Sequence, residues 1–378
     1  MKKFIKQVLL FCLPLVILLA PPVYVLKYSG ENYTDIDEVI ARGDKYLIGY
    51  AYNESNYKYL KWKEVTTRPR QDVLAIGSSR ILQIRSNTFK GPFYNAGYTV
   101  SGINEFVPFL QSIPEDKYPR ILFVNLDQWM FNGNWDPVKG VETNKAKWEN
   151  AFSKFPNINT QVSVWSDLLS RKYNFFSLYR KKNKGELVKI GLNAIVNEKG
   201  FRNDGSIFYG KQITRLMKKD PAANDFNYED TYDKIKKGQR TFAFGTDINP
   251  YALQELDRFL SFCRDKNIYV VSILPPFADK VNGYLQASGK FTYMPKVYPA
   301  IQPYVAKYGF ECWDMTNLSV FGSSDSETLD GFHAGEVSYL KLLIHLCEKG
   351  SRLNDMVNID QLKKDLASRK NDYLVYDY

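Results

Sequence analysis

The feature that most constrains the fold of this 378-residue chain is an alternation of short apolar runs with amphipathic segments. Apolar runs that end in small residues or proline are typical of buried strands, and apolar residues at helical spacing are typical of helices. Strands that alternate with helices form a parallel sheet, whose active residues lie at the carboxyl ends of the strands. The predicted strands are residues 72–76, 91–97, 120–127, 268–274 and 310–316, and the predicted helices are 81–89, 102–113, 253–267, 297–309 and 335–350.

The same alternation of strands and helices also predicts how the chain is divided into regions. Residues 1–27 are predicted to be a membrane anchor, and the polar, tyrosine-rich residues 28–70 a connector. The α/β domain is predicted at 71–350. Weaker periodicity at about 130–250 predicts a large insertion within it, or a cap over its active edge. Residues 351–378 are predicted to be a C-terminal tail.

An uncharged stretch of 19 residues, Val8–Leu26, follows three lysines within the first six positions. Its length is close to the roughly 20 residues that span a hydrocarbon core. Lysines before such a stretch stay in the cytoplasm, so the rest of the chain would face outward. A cleaved signal peptide is the alternative, but the stretch is long for one and a proline pair follows Ala20. We therefore expect a retained single-pass anchor in the cell membrane, with the main domain extracytoplasmic.

Composition and motifs argue against several other classes. The chain is 44% hydrophobic and carries a net charge of +10, but its basic residues form no single stripe, so no nucleic-acid partner is expected. The chain contains neither a GxxxxGK[ST] loop, nor HExxH, nor GxGxxG after a strand, so we expect no metal and no cofactor. No CxxC pair occurs, which leaves one disulfide or buried thiols among Cys12, Cys263, Cys312 and Cys347.

The tripeptide Gly77-Ser78-Ser79 stands at the end of the first predicted strand of the α/β region, before a predicted helix. A serine there lies at the sheet edge near a helix N-terminus, which favours negative charge, and its own N–H can help bind an oxyanion. The tripeptide alone is a weak signal, because a second copy at Gly322–Ser324 follows no such strand.

A serine nucleophile needs a base, and the chain has only two histidines. His345 lies in the middle of the last long predicted helix, where a packing role is expected. His333 lies in the loop before that helix, three residues after Asp330. This spacing suits a base and the carboxylate that orients it. The structural alternative is that Asp330 caps the helix and His333 is a surface residue.

Taken together, the strand–GSS–helix segment and the DxxH segment resemble the SGNH (GDSL-type) hydrolases over about residues 72–130 and 250–350. The resemblance implies an α/β fold of the flavodoxin-like three-layer type, with a central parallel sheet. It also implies that Ser79 attacks an acyl carbon, that His333 transfers the proton and that Asp330 orients the imidazole.

The segment Asn95–Gly102 resembles the second sequence block of that family, whose glycine donates an N–H to the oxyanion hole. Gly102 is the better match because it opens a predicted helix, and Gly97 is the alternative. The third block departs from the family, because the expected asparagine after the strand at 120–127 is missing. The substitutes that the sequence offers are Gln128, Asn132 and Asn134, unless nothing replaces it.

A narrower likeness is to membrane-anchored SGNH proteins of bacterial envelope-polysaccharide acylation, such as alginate-acetylation and teichoic-acid D-alanylation accessory proteins. The shared features are the anchor, GSS, the long insertion and the segments Leu126–Trp129, Arg202–Ser206 and Leu274–Pro276. The likeness implies a bacterial host, an acylated polysaccharide or other envelope glycan as substrate, and a membrane-bound O-acyltransferase as partner. We expect an extracytoplasmic serine acyl esterase or O-acyltransferase. The alternative is a non-catalytic glycan-binding or accessory scaffold, which the missing asparagine favours.

Overall fold

The computed structural model describes residues 1–134, 144–153, 156–182 and 187–376. The predicted insertion and the predicted tail therefore lie partly outside the described residues. The chain divides into two compact units. The first unit comprises Met1–Leu60, Asn150–Asn203 and Phe208–Lys211, and the second comprises Lys61–Glu149, Asp204–Ile207 and Gln212–Tyr378.

The regular elements of the described residues are numbered in chain order. The strands are β1 (Tyr46–Ile48), β2 (Val73–Gly77), β3 (Phe93–Gly97), β4 (Ile121–Asn125), β5 (Val188–Ile190), β6 (Gly200–Phe201), β7 (Ile207–Phe208), β8 (Tyr269–Leu274) and β9 (Glu311–Asp314). The α-helices are α1 (Lys2–Ser29), α2 (Ile36–Arg42), α3 (Asn56–Thr67), α4 (Phe106–Gln111), α5 (Ile158–Leu169), α6 (Phe175–Lys182), α7 (Lys211–Met217), α8 (Glu229–Lys237), α9 (Pro250–Asp265), α10 (Asp279–Ala287), α11 (Met294–Lys307), α12 (Glu336–Glu348) and α13 (Ile359–Ala367).

The second unit is built on a five-stranded sheet in the order β3-β2-β4-β8-β9, with every pair parallel. The predicted α/β class and parallel sheet are confirmed. By chain position within this sheet the order is 2-1-3-4-5, which is a doubly wound order. The chain adds β3 on one side of β2 and the later strands on the other, so the order of connection reverses between β2 and β4. The carboxyl ends of those two strands are the switch point at which such sheets bind ligands.

Both faces of this sheet are covered, which explains the continuous apolar runs in its strands. Alternate residues of β2 point to opposite faces. Leu74 and Ile76 belong to the core beneath α4, α9, α10 and α11, and Val73 and Ala75 belong to the core beneath α12 and α13. The helices predicted at 253–267, 297–309 and 335–350 are confirmed as α9, α11 and α12.

The helix predicted at 81–89 is wrong. The segment forms two short 3-10 helices, Ser79–Ile81 and Ser86–Thr88. The side-chain amide of Asn95 donates to the carbonyls of Ile81 at 2.9 Å and Ile84 at 3.0 Å. Those carbonyls would accept the hydrogen bonds of a continuous helix, so the asparagine competes with helix formation. The helix predicted at 102–113 is shorter than expected, since only α4 is α-helical there.

The first unit begins with α1, which has 28 residues and is long and apolar enough to cross a membrane. The region predicted as a connector, residues 28–70, carries α2, β1 and the whole of α3, of which the first unit includes the part up to Leu60. Within this unit β1 pairs in parallel with β5 and antiparallel with β6. Residues Asn150–Asn203 of the predicted insertion therefore belong to the same unit as the N-terminal helix.

The predicted C-terminal tail also carries structure, since it contains a 3-10 helix at Arg352–Met356 and α13. Leu353 and Leu362 are buried in the core beneath α12. All four cysteines are free thiols, so the possibility of a disulfide is not realised.

Candidate active site

The loop that carries Ser79 starts at Gly77, the last residue of β2. Gly77 has φ +150°, and a Cβ atom there would lie 2.5 Å from the Cβ of Asn125 on the neighbouring β4. Only glycine allows this approach of the two strands without strain. Ser78 then caps the short 3-10 helix, its Oγ accepting from the N–H of Arg80 at 3.2 Å. The half-buried Ser79 therefore projects from the carboxyl edge of the sheet, at the switch point between β2 and β4.

The loop that carries Asp330 and His333 follows β9 and precedes α12. Asp330 Oδ1 accepts the N–H groups of Phe332 at 2.8 Å and His333 at 2.7 Å, which folds the loop into a tight turn. The N–H of Leu329 donates to the carbonyl of His333 at 2.8 Å, and Gly331 donates to Asp225 Oδ2 at 2.9 Å. These bonds fix the imidazole relative to the carboxylate within four residues of chain.

The structure brings Ser79, His333 and Asp330 together. Ser79 Oγ lies 2.9 Å from His333 Nε2. On the other side of the ring, Nδ1 lies 2.8 Å from Asp330 Oδ2 and 3.0 Å from Oδ1. The side chains of His333 and Asp330 are 20% and 23% exposed, so solvent reaches both of them in part. This relay has the geometry of a nucleophile, a base and an orienting carboxylate.

The electrostatics of the relay keep Asp330 ionised. Burial acts to raise the pKa of this carboxyl, but the neighbouring His333 and the backbone N–H groups of Phe332 and His333 outweigh burial. The pKa of Asp330 therefore lies below its ordinary value. An ionised carboxylate can hold the imidazole with its proton on Nδ1, which leaves Nε2 free to accept the proton of Ser79.

Arg80 is a residue of the site that the sequence reasoning missed. Its guanidinium is 1% exposed and joins three segments of the carboxyl edge. Nη1 donates to Asp127 Oδ1 at 3.2 Å and to Gln128 Oε1 at 2.9 Å, and Nη2 donates to the carbonyls of Pro275 at 2.9 Å and Pro276 at 2.6 Å. The loop of the candidate nucleophile is thereby bound to the ends of β4 and β8.

Aromatic rings enclose the same guanidinium. Its carbon lies 4.1 Å from the centroid of Phe277 and 4.6 Å from that of Phe332, the residue before His333. The hydroxyl of Tyr339 on α12 donates to the carbonyl of Arg80. Burial raises the pKa of Asp127, and Arg80 opposes that shift. Through these contacts Arg80 binds the loop of Ser79 to the ends of β4 and β8, and we assign it as a positioning residue of that loop.

The three amides proposed for the third block each donate hydrogen bonds inside the protein rather than only towards Ser79. All three donate to oxygens within the fold: Gln128 to Pro275 and Thr316, Asn132 to Ala243, and Asn134 to Phe244, at 2.8 to 3.1 Å. The sequence could not indicate this, because the accepting oxygens come from distant parts of the chain. Asn125, at the end of β4, donates to Ser78 Oγ at 3.2 Å and Asp127 Oδ2 at 3.0 Å.

The two candidate glycines differ in what surrounds them. The N–H of Gly97 donates to the side-chain oxygen of Asn95 at 3.0 Å, and a Cβ at Gly97 would lie 2.6 Å from Ile81. A packing role therefore accounts for Gly97. Gly102 precedes the 3-10 helix Ile103–Glu105 in an extended conformation, and its role as an oxyanion donor stays a prediction. Ser79 begins its own 3-10 helix, so its N–H has no carbonyl partner within that helix.

Comparison with models of protein families, with curated proteins and with solved structures gave no match. Within the described part of the chain, no three His, Cys, Asp or Glu side chains gather as metal ligands.

Proposed function

We propose that this chain is a serine acyl esterase or O-acyltransferase of the SGNH type, which acts outside the cell membrane on an acylated envelope glycan. The observation that carries the proposal is the relay from Ser79 Oγ through His333 to Asp330, with contacts of 2.9 and 2.8 Å. The sheet order 2-1-3-4-5, with helices on both faces, supports the flavodoxin-like sandwich that the SGNH assignment requires.

The proposed reaction uses groups of the chain, an ester substrate and an acyl acceptor, which is water or a second sugar hydroxyl. Ser79 Oγ attacks the acyl carbon of an ester while His333 Nε2 takes the hydroxyl proton. The ester C–O bond then breaks, and the imidazolium gives its proton to the departing sugar oxygen, which leaves an acyl-Ser79. Water or a second sugar hydroxyl attacks this ester with His333 as base, which releases a free acid or a new ester and restores Ser79.

The proposed location is supported by α1 and by the lysines in its first two turns. A 28-residue helix is about 42 Å long, enough to cross the hydrocarbon core and both of its interfaces. Lysines at positions 2, 3 and 6 favour a cytoplasmic N-terminus, and this supports an extracytoplasmic position for the remainder of the chain. A substrate in the envelope and a membrane-bound O-acyltransferase as partner are both consistent with that topology.

The direct test is labelling of the full chain with a fluorophosphonate, which loses fluoride to an activated serine. We expect the wild type to be labelled and to hydrolyse an acetyl ester, and Ser79→Ala to do neither. Ser324→Ala is the matched control, because it removes the hydroxyl of the corresponding residue in the second GSS tripeptide, which is exposed. A wild type that is never labelled and cleaves no acetyl ester contradicts the enzyme proposal.

A second candidate, a non-catalytic glycan-binding or accessory scaffold, is favoured by the occupied amides of Gln128, Asn132 and Asn134. Loss of one oxyanion donor costs about 3 kcal/mol of transition-state stabilisation. A scaffold would bind the glycan equally well with serine or alanine at position 79 and would form no covalent adduct, so the same experiment separates the two.

A further inference from the structure

Two helices of the first unit, α5 and α6, expose large apolar side chains. Beyond Met1 and α1, nine large apolar residues of the described chain are exposed, and five of them lie on these two short helices. Soluble proteins rarely expose several large apolar side chains close together unless that surface has a partner. The five are Ile158 (79% exposed), Val162 (63%), Leu169 (77%), Phe176 (82%) and Tyr179 (60%).

The position of α5 beside α1 indicates what covers this patch. Trp165 Nε1 on α5 donates to the backbone carbonyl of Leu18 at 2.7 Å. Val164 is buried in one cluster with Val25 and Leu26. Leu18 lies eight residues before the end of the uncharged stretch, which is roughly 12 Å along the helix axis. Helix α5 therefore lies beside the last turns of the apolar segment rather than beyond it.

The polar groups of α5 and of the turn after it suit a position at the membrane interface. The one charged side chain within α5, Asp167, accepts from the hydroxyl of Tyr52 at 2.7 Å and forms an ion pair with Lys172. The turn after α5 carries Arg171 and Lys172, which are both exposed. Tryptophan and tyrosine favour the membrane interface, and basic residues at that level attract anionic headgroups.

We propose that α5 and α6 lie in the outer leaflet of the bilayer beside α1, with Val162 and Phe176 in contact with lipid. The proposal rests on the membrane anchoring proposed above, and it adds a second, monotopic contact to the single span. Both helices contact α1, whose Leu15 and Leu19 are also exposed, so lipid that surrounds the span can reach α5 and α6. Three helices at the interface fix the tilt and rotation of the first unit, which a lone span leaves free.

The test uses spin labels on the full chain in liposomes of phosphatidylethanolamine and phosphatidylglycerol. The four native cysteines are replaced by alanine, and single cysteines are introduced as Val162→Cys and Phe176→Cys. Leu15→Cys on α1 is the lipid reference, and Val320→Cys, an exposed apolar residue of the second unit, is the water reference. Power saturation measures how often each spin label collides with oxygen, which concentrates in lipid, and how often it collides with a water-soluble nickel chelate.

We expect positions 162 and 176 to favour oxygen over nickel, as position 15 does, and position 320 to show the reverse. Nickel access at 162 and 176 with oxygen access at 15 overturns the inference and leaves the anchor intact. Nickel access at position 15 overturns the anchor itself. Shielding of 162 and 176 from both reagents means that a protein covers the patch, which also overturns the inference.

A second measurement keeps all four cysteines, in case their replacement prevents folding. Brominated lipids quench tryptophan fluorescence on contact with the bilayer. We expect the quenched fraction in the wild type to fall in Trp165→Phe, because Trp165 lies at the depth of Leu18. An equal quenched fraction in the two proteins contradicts the inference.

Discussion

The tripeptide Gly-Ser-Ser occurs twice in the second unit, in two different settings. In the first copy, Gly77 ends β2 and Ser79 Oγ lies 2.9 Å from His333 Nε2. In the second, Gly322 has φ +71° and closes the 3-10 helix Leu318–Phe321. The exposed Ser324 has its Oγ 3.0 Å from the hydroxyl of Ser326.

The middle serines differ as well. Ser78 Oγ accepts from Arg80 and Asn125 and so holds the loop of the candidate nucleophile. Ser323 is buried, and its Oγ lies 2.7 Å from Glu327 Oε2 and 2.6 Å from Ser338 Oγ, in a network with no histidine. Identical residues thus have different surroundings, because the first copy stands at the carboxyl edge of the sheet and faces the imidazole of His333.

The largest expected effect contrasts the two histidines. His333→Ala should lower acyl-ester hydrolysis by about 10⁶-fold, the scale seen when the base of a serine triad is removed. His345→Ala should leave hydrolysis unchanged, because His345 lies within α12, away from the loop that faces Ser79. Initial rates with an acetyl ester check both, and equal losses in the two variants would mean that the histidines act only through folding.

Removal of the orienting carboxylate should have a smaller effect. Asp330→Asn keeps the shape of the side chain but favours the wrong tautomer of His333, so we expect a loss of about 10⁴-fold in turnover. The rate of fluorophosphonate labelling should fall with it. Unchanged labelling in a folded Asp330→Asn protein would mean that Asp330 only stabilises the turn through its hydrogen bonds to Phe332 and His333.

The same residue gives a pH prediction. The pKa of Asp330 is lower in the folded protein than in an unfolded chain, so its ionised form contributes stability above the unfolded carboxyl pKa of about 4. That contribution is lost as the pH falls through the lowered folded-state pKa. The difference in free energy of unfolding between wild type and Asp330→Asn should therefore shrink below about pH 4. A difference that grows on acidification has the opposite sign and contradicts the assignment.

Arg80 follows the first GSS copy, and Asp325 follows the second. Arg80→Met should leave Asp127 as an uncompensated buried charge, at a cost of about 3–5 kcal/mol in the free energy of unfolding. In the protein that still folds, displacement of the Ser79 loop by about 1 Å should lower kcat/KM by about 10²-fold.

The matched control is Arg85→Met. Arg85 is also buried and pairs at 3.0 Å with both Asp204 and Glu336, whereas Arg80 binds the ends of β4 and β8 beside Ser79. The substitution Arg85→Met should lower the free energy of unfolding to a similar degree and leave kcat/KM of the folded protein unchanged. An equal loss of kcat/KM in both variants would make Arg80 a stability residue only.

The smallest expected effect compares the two copies of Gly-Ser-Ser: a serine of the second copy should matter for stability, and Ser79 of the first copy for hydrolysis. Ser323→Ala leaves the buried Glu327 with one hydrogen bond fewer, so we expect a loss of about 1–3 kcal/mol in the free energy of unfolding with unchanged hydrolysis. Ser79→Ala should abolish hydrolysis with little change in stability, since Ser79 is half-buried and faces the open site. Denaturant unfolding of the two variants measures the free energy of unfolding, and the acetyl-ester assay measures the rate of hydrolysis.

The strands of the large sheet could be predicted because residues such as Val73–Ile76 form a continuous apolar run, as a strand covered on both faces requires. His333 could be singled out because it lies in a loop near a carboxylate, whereas His345 does not. Arg80 could not be predicted, since its partners Asp127 and Pro276 come from other strand ends. The short 3-10 helices after Ser79 were missed because the side chain of Asn95 takes the carbonyls that a helix needs.

The measurement that tests the central claim most directly is the site of covalent modification in the wild-type chain. The protein is treated with a fluorophosphonate and digested, and the modified peptide is identified by mass spectrometry. We predict one adduct, on Ser79, in the peptide that contains the first GSS copy, and an unmodified peptide for Ser323 and Ser324. An adduct on the second copy, or no adduct on either, contradicts the claim that the sheet edge and His333 make Ser79 a nucleophile.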